Sequence, residues 1–268
     1  MFPKLYIFLW KDWVQARSYK ASFIFQNVAI LFPLVTLLFL DRVFENVSPS
    51  AIQPYGGDYV AFALVGVVVT TYSATALRAF SMGLRTAQMT GNLEALLMTR
   101  ASIPTVLFGW SLYPFLRATI SSMVFLAAGF LLLDLELAKA NIPGATLIFI
   151  LTVLVTASLG IIAASFVLVF KQGDPFTGII VVAAGLLSGT MYPITVLPDW
   201  LQVISKALPQ THSIEGMRQA VLQGASMGEL RTELAVLTVF AALLFPLALT
   251  VFRHAMHRAK VEGSLAHY

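Results

Sequence analysis

The sequence predicts an all-α, polytopic membrane protein. Its plan is six transmembrane helices, an N-terminal interfacial amphipathic helix, a cytoplasmic helix between the second and third spans, and an outer re-entrant helix pair. Three observations carry this. Of 268 residues, 58% are hydrophobic and 11% charged, with a mean hydropathy of +0.83, more apolar surface than a soluble domain of this size buries. The apolar residues gather in six long runs, and lysine and arginine collect in the segments on one side of them.

The runs are 21–40, 59–77, 105–133, 145–170, 176–197 and 234–252. A helix crosses about 30 Å of hydrocarbon in about 20 residues, and lipid offers backbone amides no other partner. Six crossings put both termini on one side. That side carries eleven basic residues: Lys4, Lys11, Arg17, Lys20, Arg78, Arg85, Arg100, Lys171, Arg253, Arg258 and Lys260. The other carries five: Arg42, Lys139, Lys206, Arg218 and Arg231. The positive-inside bias makes the basic side, with both termini, cytoplasmic, and the protein multi-pass in the cell membrane.

The charge of +4 and pI near 9.4 follow from this rim, which suits anionic headgroups and implies no nucleic-acid partner. The absence of cysteine excludes disulfides and thiolate metal sites. No small-residue cleavage pattern marks a removable signal peptide.

In chain order, residues 1–20 read as the interfacial helix. Lys4, Lys11, Gln15 and Ser18 share a narrow face opposite Leu5, Tyr6, Leu9, Trp10 and Trp13, which sets the tryptophans at headgroup level. It serves either as an anchor or as a strut toward a cytoplasmic partner. The cytoplasmic loop 82–104 contains TGNLEALLMTRASIP. Asn92 or Gly91 caps a short helix there, Glu94 lies in its first turn, Arg100 in its last, and Pro104 comes after its end. Leu93, Leu96 and Leu97 form an apolar face, for a partner surface or for the protein's own spans.

Arg117 is the one basic residue well inside an apolar run. It costs about 2.5 to 3.5 kcal/mol at a helix centre, which the nine Leu, Ile, Phe and Val residues from Leu116 to Leu133 can offset. Arg117 therefore either snorkels to the headgroups or faces a substrate cavity and attracts an anionic group. In the fifth run GLLSG sets Gly185, Ser188 and Gly189 in a small-xxx-small pattern for close helix packing, within one subunit or between two. Residues 198–230 carry Pro198 and Pro209, which leave Asp199 to Leu208 and Ser213 to Leu222 as short half-apolar helices dipping into the outer interface.

Catalytic signatures are missing. No lysine follows a glycine, so there is no phosphate-cradling P-loop. The four histidines form no metal site and none falls within a run. The chain is expected to be no enzyme, with no catalytic or metal-ligating residue.

The order of these elements resembles the permease subunit of the type-2 ABC exporter family. The family's cytoplasmic motif, GTLEALLLTP, is matched at Gly91, Leu93, Glu94, Leu96, Leu97 and Thr99. Its outer motif is matched at Tyr192, Pro193, Leu197, Pro198, Trp200, Leu201, Gln202, Leu208, Pro209, Glu215 and Arg218. Arg100 and Ala207 depart from the usual Pro and Asn. The resemblance implies a dimer, homodimeric or with a similar permease, each subunit docking a cytoplasmic ABC ATPase. Leu93 to Thr99 would be its coupling helix, with Asn92 and Arg100 beside it among the coupling residues. ATP and magnesium would sit on that partner, with no cofactor bound directly here. Substrate of the drug, lipid or glycan-linked lipid class would move outward along the subunit interface. The outer helices, with Pro198, Trp200, Glu215 and Arg218, would gate the exit. An ion-gradient-driven secondary transporter fits less well, because no carboxylate lies deep in a run. A non-transport assembly protein is the remaining alternative.

Overall fold

The computed structural model describes residues 2–21, 25, 28, 32–44, 50–55, 58–91, 103–132, 140–170 and 175–261. Among them every regular element is helical. The α-helices are α1 (Phe2–Ser18), α2 (Phe32–Phe44), α3 (Tyr59–Met89), α4 (Ile103–Leu132), α5 (Ile142–Phe170), α6 (Pro175–Leu187), α7 (Asp199–Lys206), α8 (Pro209–Val221) and α9 (Arg231–Val261). Short 3-10 turns lie at Ser50–Tyr55 and Ile194–Val196.

Four helices among the described residues, α3, α4, α5 and α9, are long and apolar enough to cross a membrane. At 1.5 Å per residue they measure about 43 to 47 Å, longer than the hydrocarbon is thick, and α3 and α9 run well past the apolar runs read from hydropathy. Met89 and Val261 end helices whose apolar runs stop near Leu77 and Phe252. Asp58 caps α3 by accepting from Val60 N at 2.8 Å and Ala61 N at 3.0 Å.

Helix α3 is the hub, packing on α2, α4, α5 and α8, while α9 packs along α5. Its buried residues run almost without a break from Val60 to Val69, because neighbours surround it. By contrast α4 and α9 expose Leu116, Ile120, Met123, Leu243 and Leu247 on their outer faces, as lipid-facing helices do. The largest core cluster unites Phe80 and Leu84, Leu107 and Trp110, Ile161 and Leu168, and Phe252 and Met256 from four helices. A Cβ at Gly160 would fall 2.9 Å from Leu77 O, so α5 and α3 cross at close approach there.

Helix α1 docks through Phe8, whose ring lies over Gly109 of α4. Trp10 and Trp13 remain exposed, as does Tyr6. The apolar surface of α1 is thus divided between a docked edge and an outward edge.

One element departs from expectation. The fifth run, read as one span over 176–197, is helical only to Leu187. Gly189 then adopts φ +74°, a conformation disfavoured for other residues, and Pro193 has no N–H to continue a helix. The helix end is closed by side chains: Ser205 Oγ donates to Leu187 O at 2.6 Å, and Tyr192 Oη donates to Leu186 O. Gly185 and Gly189 therefore share no helical stripe.

Candidate functional site

After the turn at Gly189 the chain runs back over the bundle as α7 and α8. Helix α7 is amphipathic: Trp200, Val203 and Ile204 at i, i+3 and i+4 are exposed, while Ser205 is buried. Helix α8 carries Arg218 inward against α3. Arg218 is 2% exposed. Its Nε donates to Phe62 O at 3.1 Å and its Nη2 to Thr190 O at 2.8 Å, and its guanidinium lies 3.3 Å from the centre of the Phe62 ring. One side chain thus ties together α3, the turn after α6, and α8.

Bonds from a charged donor contribute about 1.5 to 3 kcal/mol each, and a desolvated cation over a ring about 2. Burial pulls the guanidinium down to about 9 while the nearby Glu215 carboxylate opposes this, so it stays charged at neutral pH. Glu215, one turn earlier, accepts from Tyr55 Oη at 2.8 Å and from Gln219 Nε2 at 3.1 Å. Burial, then the Glu215 charge, pushes the Tyr55 phenol up, which keeps it a donor.

The clasp depends on the face of α3 formed by Phe62, Gly66 and Thr70 at intervals of four. A Cβ at Gly66 would lie 2.1 Å from Thr190 O and 2.6 Å from Arg218 Nη2, so only glycine admits this approach. Thr70 shares a 2.9 Å hydrogen bond with Thr190 and accepts from Gln210 at 3.3 Å. At the rim His212 joins three helices. Its Nδ1 lies 2.5 Å from Glu233 Oε2 on α9 and its Nε2 2.9 Å from Lys206 O at the end of α7.

A second feature lies at mid-bundle. Arg117 lines a cavity of about 480 Å³ between α2, α3 and α4. It is fourteen residues from the start of α4, about 21 Å along the helix.

Of the residues singled out in the sequence, the structure brings Glu215 and Arg218 together and buries both Ser188 and Gly189. Pro198 and Trp200 are exposed at the start of α7. Among the described residues nothing lies within 4 Å of a Cβ built at Gly185, and Ile179, Val182 and Leu186 leave that helix exposed. Asn92, Leu93, Glu94, Leu96, Leu97 and Arg100 lie outside the described residues. Tyr55, Phe62, Gly66, Thr190 and His212 were not anticipated. The spacing of Phe62, Gly66 and Thr70 is the one local signal for them.

Residues 3–222 match the family model of the ABC-2 type transporter. The chain is 28% identical over 112 residues to the linearmycin resistance permease protein LnrN of Bacillus subtilis (strain 168), covering 41% of this chain and 29% of that protein. It is 24% identical over 216 residues to ABC transporter G family member 20 of Dictyostelium discoideum, covering 77% of this chain and 28% of that protein. The alignments thus span less than a third of each of these two relatives.

Proposed function

This chain belongs to the ABC-2 type transporter family, and we propose that it is the membrane-spanning permease subunit of an ABC exporter, moving its substrate outward on ATP hydrolysed by a separate subunit. In this reading it makes six crossings of the cell membrane with both termini cytoplasmic. It pairs with a second permease, a copy of itself, and docks the ATPase through Asn92 to Arg100. Its cargo in this reading is of the drug, lipid or glycan-linked lipid class, and one relative is named as a linearmycin resistance permease.

The observation that carries the reading is the family match over the stretch in which the broken α6 and the clasped pair α7 and α8 lie. A short apolar helix followed by a folded-back pair gives an outer closure separate from the long spans. Arg218 fixes that closure to α3. This suits a gate more readily than a solid bundle would.

The test is at the cytoplasmic end. Wild-type protein is expected to co-purify with an ABC ATPase and to stimulate its hydrolysis. Glu94→Lys reverses the charge in the first turn of the helix read from the sequence, and Leu97→Asp puts a charge on its apolar face; each is expected to abolish both readouts while membrane insertion persists. Full retention in both variants, or a wild-type protein that engages no ATPase, would overturn the reading.

A further inference from the structure

We propose that the cavity between α2, α3 and α4 is a binding site for an anionic amphiphile, with a phosphate-type headgroup at Arg117 and its chain along the apolar wall. Two helix faces build it. On α4, Tyr113, Arg117 and Ser121 follow one another at intervals of four, with Ser122 beside them. On α3, Thr71, Tyr72 and Thr75 face them. Tyr72 lies about 20 Å from the start of its helix, so both stripes meet at mid-bundle.

Their placement is the argument. Hydroxyls and a guanidinium are costly at this depth and are normally turned to a packed contact or a wet cavity. Here six hydroxyl side chains and one cation converge on a space of about 480 Å³, the size of a small-ligand site. Thr71 is exposed, so the space is open there. Among the described residues Arg117 is the only basic one lining it. A guanidinium with hydroxyl donors around it matches the several acceptor oxygens of a phosphate or phosphonate. An anion gains from that charge in a low-dielectric setting, whereas a neutral ligand gains little.

The rest of the wall selects an amphiphile over a free ion. Pro33, Val67, Val68 and Phe125 supply apolar surface that a small hydrated anion would leave wet. Pro114, in the same wall, has no N–H to give the carbonyl of Trp110 one turn back, so the backbone there is locally freed beside Arg117.

Whether the bound molecule is cargo rests on the permease reading, but binding does not. The two can fail separately. The experiment uses the full chain in nanodiscs of zwitterionic lipid and three probes: lysophosphatidic acid, chain-matched lysophosphatidylcholine, and inorganic phosphate. Native mass spectrometry and calorimetry are expected to find one lysophosphatidic acid bound, with at least about tenfold weaker lysophosphatidylcholine. Arg117→Gln is expected to remove that preference, Arg117→Lys to retain part of it, and Ser122→Phe, which fills the space without touching the charge, to weaken lysophosphatidic acid by a similar factor. Equal binding in wild type, Arg117→Gln and Ser122→Phe would overturn the site. Displacement of lysophosphatidic acid by equimolar phosphate would overturn the amphiphile in favour of a free anion. If Arg117→Gln does not fold, Ser122→Phe and Arg117→Lys decide the matter.

Discussion

Arg218 meets Phe62 twice. It donates to the Phe62 carbonyl at 3.1 Å and lays its guanidinium 3.3 Å from the centre of the same residue's ring. The backbone contact fixes the height of α8 along α3, and the ring contact desolvates the charge without leaving it unsatisfied. Arg218 is therefore a buried point of attachment between the folded-back helix pair and α3, alongside the Thr70–Gln210 and His212–Glu233 contacts.

Arg218→Lys keeps the charge but cannot reach Phe62 O and Thr190 O with one planar fork. Destabilisation of about 2 kcal/mol is expected for Arg218→Lys and more for Arg218→Met, which makes neither bond and removes the charge over the Phe62 ring. Thermal unfolding in detergent is the check. An unchanged midpoint in Arg218→Met would remove the clasp from the account.

Gly66→Ala and Gly185→Ala add the same methyl group to two helices. The first would meet Thr190 O at 2.1 Å, whereas the second meets nothing within 4 Å. Lower folded yield and a lower midpoint are expected for Gly66→Ala only. Gly185→Ala should be neutral or gain up to about 1 kcal/mol from helix propensity.

His212 faces two acceptors, Glu233 Oε2 and Lys206 O, so each ring nitrogen holds a proton when both bonds are made. The Glu233 contact raises its pKa, burial opposes this, and the Glu215 charge adds to the rise. The stabilisation is fully present below about pH 6.5 and is lost as pH rises through the raised pKa. Unfolding midpoints measured from pH 5.5 to 9 should fall in wild type by more than in His212→Asn. Parallel curves would contradict this.

The exposed Ile179, Val182 and Leu186 face of α6 is expected to meet lipid or the second permease subunit. Because the chain has no cysteine, Val182→Cys can be oxidised cleanly in membranes. A disulfide-linked dimer is expected if this face joins the subunits. Its absence would move the interface elsewhere.

Orientation can be read the same way. Ser48→Cys should react with an impermeant maleimide from outside, and Ser264→Cys only after lysis. The reverse pattern would invert the topology argued from basic residues.

Composition and spacing alone establish the helical class, the long apolar helices, and the punctuating prolines around α7 and α8. These are local properties, because lipid forces backbone hydrogen bonds to close within a segment. Arg117 also stands out in the sequence as an unusual cation. That the fifth apolar run stops at Leu187 is hidden there, since hydropathy counts residues and is blind to the φ of Gly189. Nor does any local pattern pair Arg218 with Phe62, 156 residues away, or show that Gly66 is the opening through which they meet. Tertiary packing decided those contacts. A buried guanidinium takes whichever carbonyls and rings its neighbours present, and that depends on how α3, α6 and α8 pack, which neighbours in sequence do not record.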